Sequence, residues 1–356
     1  MPFNPPLIEP AVRRYRRERD RYVKLADRIA EICKTDICEA NAIRAQVTFR
    51  VKSPNSFEGK LRRFSGQPSK NYTDLDAIFE GVGDLAGVRI ATYREEDRQV
   101  VKAAVERAFC GRDGGPIEVE DKNRQDQDPE NFYRAIHIQA YLPEDERVGM
   151  YDNVADIGCE IQICTMMAHV WNEIEHDIGY KPDGDPSLPE KYHLLQLGNL
   201  VRQGDVAISN LLAEVAQRLA VQQGPFADVQ DFVGRMSGSF PGIDFSQNVG
   251  QLFEVLQTLG LNTPDAAKNA TVDPAGMDVA LGELESFNAF LAEREESPRM
   301  ERESSDVALI VLLRQRYREV LDSFRGQVGQ GRGRPKRLYS LAVRYKKWRE
   351  HEAALS

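Results

Sequence analysis

Apolar residues near the start of the chain recur at three- and four-residue steps. Val12, Tyr15, Tyr22, Leu25, Ile29 and Ile32 follow this rhythm with arginines between them, which predicts a helix over residues 7–34. The period then changes to two. Val47, Phe49 and Val51 alternate with Thr48, Arg50 and Lys52, the signature of a strand with one dry and one wet face. Ser53-Pro54 follows, an N-cap with proline at the first helical position. Further strands are predicted over Val88–Tyr93, near Ile117–Val119, over Tyr133–Leu142 and over Gly158–Ile163. A helix is predicted over 95–109, and Thr165 caps another running to about Tyr180.

Beyond Leu188 only helical periodicity remains, over 188–223, 228–237, 247–260, 276–297, 301–326 and 336–353. The expected fold class is therefore α+β. A mixed, nucleotidyltransferase-like sheet flanked by helices occupies 1–185, with its sheet core in 40–180, and an all-α region occupies 188–356. The boundary is expected at Pro182–Pro189.

Composition adds little to this division. The chain has 356 residues, 41% hydrophobic and 29% charged, ordinary for a soluble protein. It carries no apolar run of the roughly 20 residues that a membrane span needs, and a cytoplasmic location is expected. Five cysteines with no C-x-x-C pair argue against a disulfide framework or a zinc cluster. Charge changes the picture more. Residues 313–349 hold twelve Lys and Arg against only Glu319 and Asp322, so this segment is +10 in a chain of net charge −9. Such a segment implies an anionic partner, or docking on acidic surface of the protein itself. Leu338, Leu341, Tyr345 and Trp348 share one face of its last helix, which favours docking in a helical bundle.

The chemistry sits in the first half. In Cys159-Glu160-Ile161-Gln162-Ile163 alternation puts Glu160 and Gln162 on one face, where a carboxylate beside an amide needs water, a partner or a ligand. Arg50 and Lys52 on another strand, with Lys60 on the next helix, form a candidate polyphosphate cradle. Asp84 precedes a strand that contains Arg89. Mg²⁺ takes hard oxygen ligands, one or two carboxylates plus phosphates, so Asp84 and Glu160 are a candidate pair of metal ligands. His169, Glu173 and His176 share a helix face, yet their spacing matches no zinc motif, and packing is the better account.

Five segments in order resemble the synthetase domain of the RelA/SpoT family in its small single-domain forms. They are Phe49-Arg50-Val51-Lys52-Ser53-Pro54-Asn55-Ser56 with Lys60; Asp84-Leu85-Ala86-Gly87-Val88-Arg89-Ile90; Tyr133-Arg134-Ala135-Ile136-His137; Glu160-Ile161-Gln162-Ile163-Cys164-Thr165; and Trp171 with Glu175-His176 and Tyr180-Lys181. The resemblance covers about residues 10–185. It implies transfer of the β,γ-pyrophosphate of ATP to the 3′-hydroxyl of GDP or GTP, giving ppGpp or pppGpp, the alarmones of the stringent response. It further implies that Arg50 and Arg89 sandwich the adenine and that Lys52, Lys60 and Ser56 serve the ATP phosphates. Asp84 and Glu160 would hold Mg²⁺, with Glu160 also the base. Tyr133 would stack on the acceptor base, and His137 and Gln162 would line its pocket. The family's hydrolase domain finds no counterpart here.

The sequence departs from the family pattern before Tyr133. Guanosine-alarmone synthetases have Lys-Asp-Tyr, then Pro-Lys, then Asn-Gly-Tyr; here Glu120-Asp121-Lys122 and Glu130-Asn131-Phe132-Tyr133 stand instead. Some toxin members pyrophosphorylate the 3′ end of tRNA, so that acceptor remains a second expectation, one that basic C-terminal helices would suit. A third is a catalytically degenerate nucleotide-binding module acting through its helical half. Assembly into a homo-oligomer is left open.

Overall fold

A computed structural model of the chain describes residues 3, 5–67, 69–124, 128, 131–179, 186–222, 224–296, 299–327 and 336–355. The chain forms two compact units. One comprises residues 1–37 and 44–209, the other residues 38–43 and 210–356.

The first unit opens with helix α1 (Ile8–Ile32), whose Tyr15, Leu25 and Ile29 are fully buried, as the periodicity predicts. A π-helical turn (Cys33–Glu39) continues it. Strand β1 (Ala45–Val51) follows, then α2 (Pro54–Ser65). The Ser53 hydroxyl accepts from the Ser56 N–H at 3.1 Å and starts α2, a cap worth about 1 kcal/mol. The remaining elements are α3 (Leu75–Gly81), β2 (Ala86–Thr92), α4 (Asp97–Ala108), β3 (Glu118–Asn123), β4 (Arg134–Ala140), β5 (Cys159–Thr165), α5 (Met166–Gly179) and α6 (Leu188–Ala220).

The five strands form one mixed sheet in the order β1-β2-β5-β4-β3. β5 runs parallel to β2 and antiparallel to β4, so the Glu160 strand is central rather than a wet edge. Ile90, Ile136, Ile138, Ile161 and Ile163 fill one face and are fully buried. Arg50, Arg89, His137, Glu160 and Gln162 share the other. Phe49, on edge strand β1, is 43% exposed despite its place in the apolar alternation, because an edge strand is covered less completely than a central one.

Two elements of the first unit differ from the sequence expectation. α3 was not foreseen; its signal was Asp74, whose side chain accepts from the Ala77 N–H at 2.9 Å. Strand β3 runs on to Asn123, since hydrogen bonds to β4 hold this polar edge in place where apolar periodicity gives no sign. The expected boundary at Pro182–Pro189 falls partly outside the described residues. The division between the units comes later, within α6 after Ser209.

The second unit is helical: α7 (Val229–Met236), α8 (Val249–Thr258), α9 (Pro264–Thr271), α10 (Met277–Ala292), α11 (Asp306–Phe324) and α12 (Arg337–Leu355). α9 is an addition to the periodic segments, short but announced by Thr263-Pro264. Phe232, Phe287, Leu312, Leu341 and Tyr345 belong to a single core. Leu338 and Trp348 join it, so the apolar face of α12 is spent inside the unit. Its cations are partly spent there too. Arg337 pairs with the buried Asp306 at 2.6 Å, Arg344 with Glu296 at 2.5 Å, and Lys336 with Glu254. Arg332 and Arg334 lie outside the described residues. Among the described residues, no helix is long and apolar enough to cross a membrane.

Candidate active site

The polar face of the sheet brings the expected residues together by register. Arg50 pairs with Gly87 across β1 and β2. Gly87 pairs with Glu160, Glu160 with Gln139, and Gln139 with Glu118. One rung of the sheet thus carries an arginine near one edge and the carboxylate at its centre. Arg89, Gln162 and His137 form the next rung.

Glu160 is held at both oxygens. His137 Nδ1 lies 3.1 Å from Oε1, and Gln162 Nε2 donates to Oε2 at 2.6 Å. An ionised carboxylate only accepts, so the His137 proton sits on Nδ1. Nε2 then meets the Tyr133 hydroxyl at 2.7 Å. Burial alone would raise the Glu160 pKa, yet the interaction with His137 and the hydrogen bond from Gln162 hold it below the ordinary carboxylate value. Burial, with Glu160 nearby, pushes the Tyr133 phenol up to about 12. The Arg124 guanidinium lies over the Tyr133 ring at 4.7 Å from its centroid.

Asp84 is the second carboxylate. Its Oδ2 receives Lys60 Nζ at 2.7 Å and Lys52 Nζ at 3.1 Å. Burial opposes ionisation, but the two ammonium groups outweigh it and hold the pKa below the ordinary range. Its Oδ1 is buried and has no hydrogen-bond partner. An unpartnered buried oxygen costs about 1–3 kcal/mol, and a ligand that takes it relieves that cost. The donor set of Asp84 and Glu160 is hard oxygen, which suits Mg²⁺ completed by phosphate and water. Among the described residues, no cluster of three or more His, Cys, Asp or Glu could hold a metal ion, so a metal here would depend on ligands from a substrate.

Arg50 and Arg89 line two shared clefts of about 200 and 240 Å³, together with Asp84, Glu160, Gln162 and Glu173. Tyr133 and His137 line the larger of the two. Arg89 donates to Glu173 at 2.6 Å and to Gln162 at 3.5 Å, and its other nitrogen lies 3.4 Å from His169. The face of His169 and Glu173 is therefore used to hold an arginine. Burial first, then the Arg89 charge, lowers the His169 pKa. Ser56 shares α2 with Lys60, and its hydroxyl lies 2.8 Å from that of Ser53. Tyr180 and Lys181 lie outside the described residues.

Several contributors escaped the sequence reading. Tyr15 donates to the Lys52 carbonyl at 2.7 Å and so ties α1 to the end of β1 that carries Lys52. Gln139, beside Glu160, donates to the Gly83 carbonyl at 3.3 Å. Glu173 was visible as a polar residue on a helix face, but its partner is 84 residues away, which spacing does not reveal.

Several known proteins are similar to this chain. GTP pyrophosphokinase YjbM of Bacillus subtilis (strain 168) is 29% identical over 174 residues, 49% of this chain and 74% of that protein. Small alarmone synthetase 1 from Bacillus subtilis is 23% identical, with a TM-score of 0.45 over 57% of this chain and 98% of its own. A GTP pyrophosphokinase family protein from Streptococcus pneumoniae is 20% identical, with a TM-score of 0.44 over 57% and 94%. Residues 49–185 match the model of the region found in RelA / SpoT proteins, and over these residues the chain is similar to that family.

Proposed function

We propose that the chain transfers the β,γ-pyrophosphate of ATP to the 3′-hydroxyl of GDP or GTP. The observation that carries this reading is Glu160, ionised, fixed at both oxygens and set in one cleft with Asp84 and two arginines. The family match and the similarity to a GTP pyrophosphokinase support it.

A ribose hydroxyl is a poor nucleophile until a positioned base takes its proton. Glu160 is that base. The 3′-oxygen bonds to the β-phosphorus, and the bond from this phosphorus to the α,β-bridging oxygen breaks. AMP leaves, and the hydroxyl proton passes to Glu160. His137 and Gln162 keep the carboxylate aimed. Lys52 and Lys60 turn from Asp84 to the phosphates and offset the charge of the transferred group. Arg50 and Arg89 flank the adenine, with Glu173 steadying Arg89. Tyr133 stacks on the acceptor base. Mg²⁺, held by Asp84 and Glu160, would supply Lewis-acid stabilisation of the phosphate oxygens.

The test is incubation with γ-labelled ATP and GDP, GTP or deacylated tRNA. Label on a guanosine nucleotide is expected. Label on tRNA alone would replace the acceptor, and label on none would favour a binding module.

A further inference from the structure

We infer that helix α6 is a positioning element for the acceptor side of this site, acting through the two residues that flank Tyr133. The inference rests on the reading of Tyr133 as the acceptor-stacking residue.

Phe132, where the family pattern has glycine, is buried. Its ring meets Trp171 at 6.1 Å between centroids and packs with Val201 of α6. The contact with α6 is close enough to require glycine. A Cβ at Gly198 would lie 2.2 Å from the Phe132 ring carbon Cδ2. Gly204, six residues on, faces α5, where a Cβ would lie 2.4 Å from Met167 Cε, the flexible end of that side chain. The helix therefore approaches the entry to β4 and the face of α5 at two glycines. On the other side of Tyr133, Arg134 donates to the buried Asp205 of α6 at 2.7 Å. The Trp171 indole closes the contact by donating to the Leu194 carbonyl of α6 at 3.3 Å.

Tyr133 itself packs against the cluster of Phe132, Trp171 and Val201, and its hydroxyl meets His137. Moving Phe132 or Arg134 moves Tyr133, because the three are consecutive along the backbone leading into β4. Phe132 thus fills the interface with α6 instead of reshaping the acceptor pocket, and the cluster links residues 194–205 to the base-stacking ring.

Gly198→Ala in the full chain tests this. Alanine is a better helix former than glycine, so an effect on the site reports the displaced Phe132 ring. One readout is the ¹⁵N-histidine spectrum, in which the His137 resonance follows its hydrogen bond to Tyr133. That resonance is expected to shift in Gly198→Ala and to return in Phe132→Leu/Gly198→Ala. It should stay put in Gly282→Ala, whose added Cβ meets open space. The second readout is kinetic. The KM for GDP should rise about tenfold while the KM for ATP moves by less than about twofold. An unmoved His137 resonance, or equal changes in both KM values, overturns the inference. If the wild-type chain transfers no label, the proposed reaction fails, and the histidine spectrum still decides whether α6 positions Tyr133.

Discussion

His137 Nδ1 lies 3.1 Å from Glu160 Oε1 although the two residues are 23 positions apart; antiparallel pairing of β4 with β5 sets them on adjacent strands. The contact fixes the histidine tautomer and the direction of the carboxylate together. Glu160→Gln keeps the shape and removes the base. Transfer should fall by about 10²–10⁴-fold with ATP binding retained, as steady-state kinetics and direct titration of ATP would show. Near-normal transfer would remove Glu160 from the role of base.

The depressed Glu160 and Asp84 pKa values carry a sign for stability. A carboxylate whose pKa is lower folded than unfolded adds stability that is present above the unfolded value. It is lost as pH falls through the folded value. Thermal melts should therefore show the first unit weakening below about pH 4.5, the ordinary glutamate value from which Glu160 is depressed. Glu160→Gln should flatten that acid limb.

Asp84→Asn leaves Lys52 and Lys60 without their carboxylate and removes one proposed metal ligand. Transfer should fall by about 10²-fold, and titration with Mg²⁺ should reach half-maximal activity at a higher concentration than in the wild type. An unchanged Mg²⁺ dependence would exclude Asp84 as a ligand.

Tyr15 is buried, and its phenol, pushed up to about 12 chiefly by burial, donates to the Lys52 carbonyl. Tyr15→Phe leaves that carbonyl without this donor at a cost of about 1–3 kcal/mol. The expected results are a lower melting temperature and a higher KM for ATP. The KM for the acceptor should stay constant.

In the helical unit, Arg337 grips Asp306 with two nitrogens, at 3.0 and 2.6 Å. Arg337→Ala strands a buried carboxylate and should destabilise this unit by about 3 kcal/mol, seen as a lower midpoint in urea unfolding.

The legible parts of the fold were those with a repeating pattern. Alternation found β1, β4 and β5, and the three-four rhythm found α1, α5, α6, α7, α8, α10, α11 and α12. It missed α3 and α9, which are announced by their N-terminal Asp74 and Thr263-Pro264 and not by an apolar rhythm. For the site, motif order placed Arg50, Lys52, Asp84, Arg89, Tyr133, His137, Glu160 and Gln162 along the sequence; the sheet gathers Arg50, Arg89, His137, Glu160 and Gln162 on one face, and Lys52, Asp84 and Tyr133 flank its strands. What stayed hidden needs contact between distant segments: Tyr15 under Lys52, Glu173 on Arg89, Gly198 against Phe132. Local spacing carries no trace of these, because each depends on how α1, α5 and α6 lie on the sheet.

The rung Arg50–Gly87–Glu160–Gln139 makes alignment between strands a requirement of the chemistry. A slip of one residue between β5 and its neighbours would turn Glu160 into the core and present Ile161 to the substrates. Backbone hydrogen bonds and the isoleucines of the dry face resist that slip. The place of Glu160 on the polar face is therefore kept by residues of the opposite face, and damage to them would displace Glu160 while every site residue remained in the sequence.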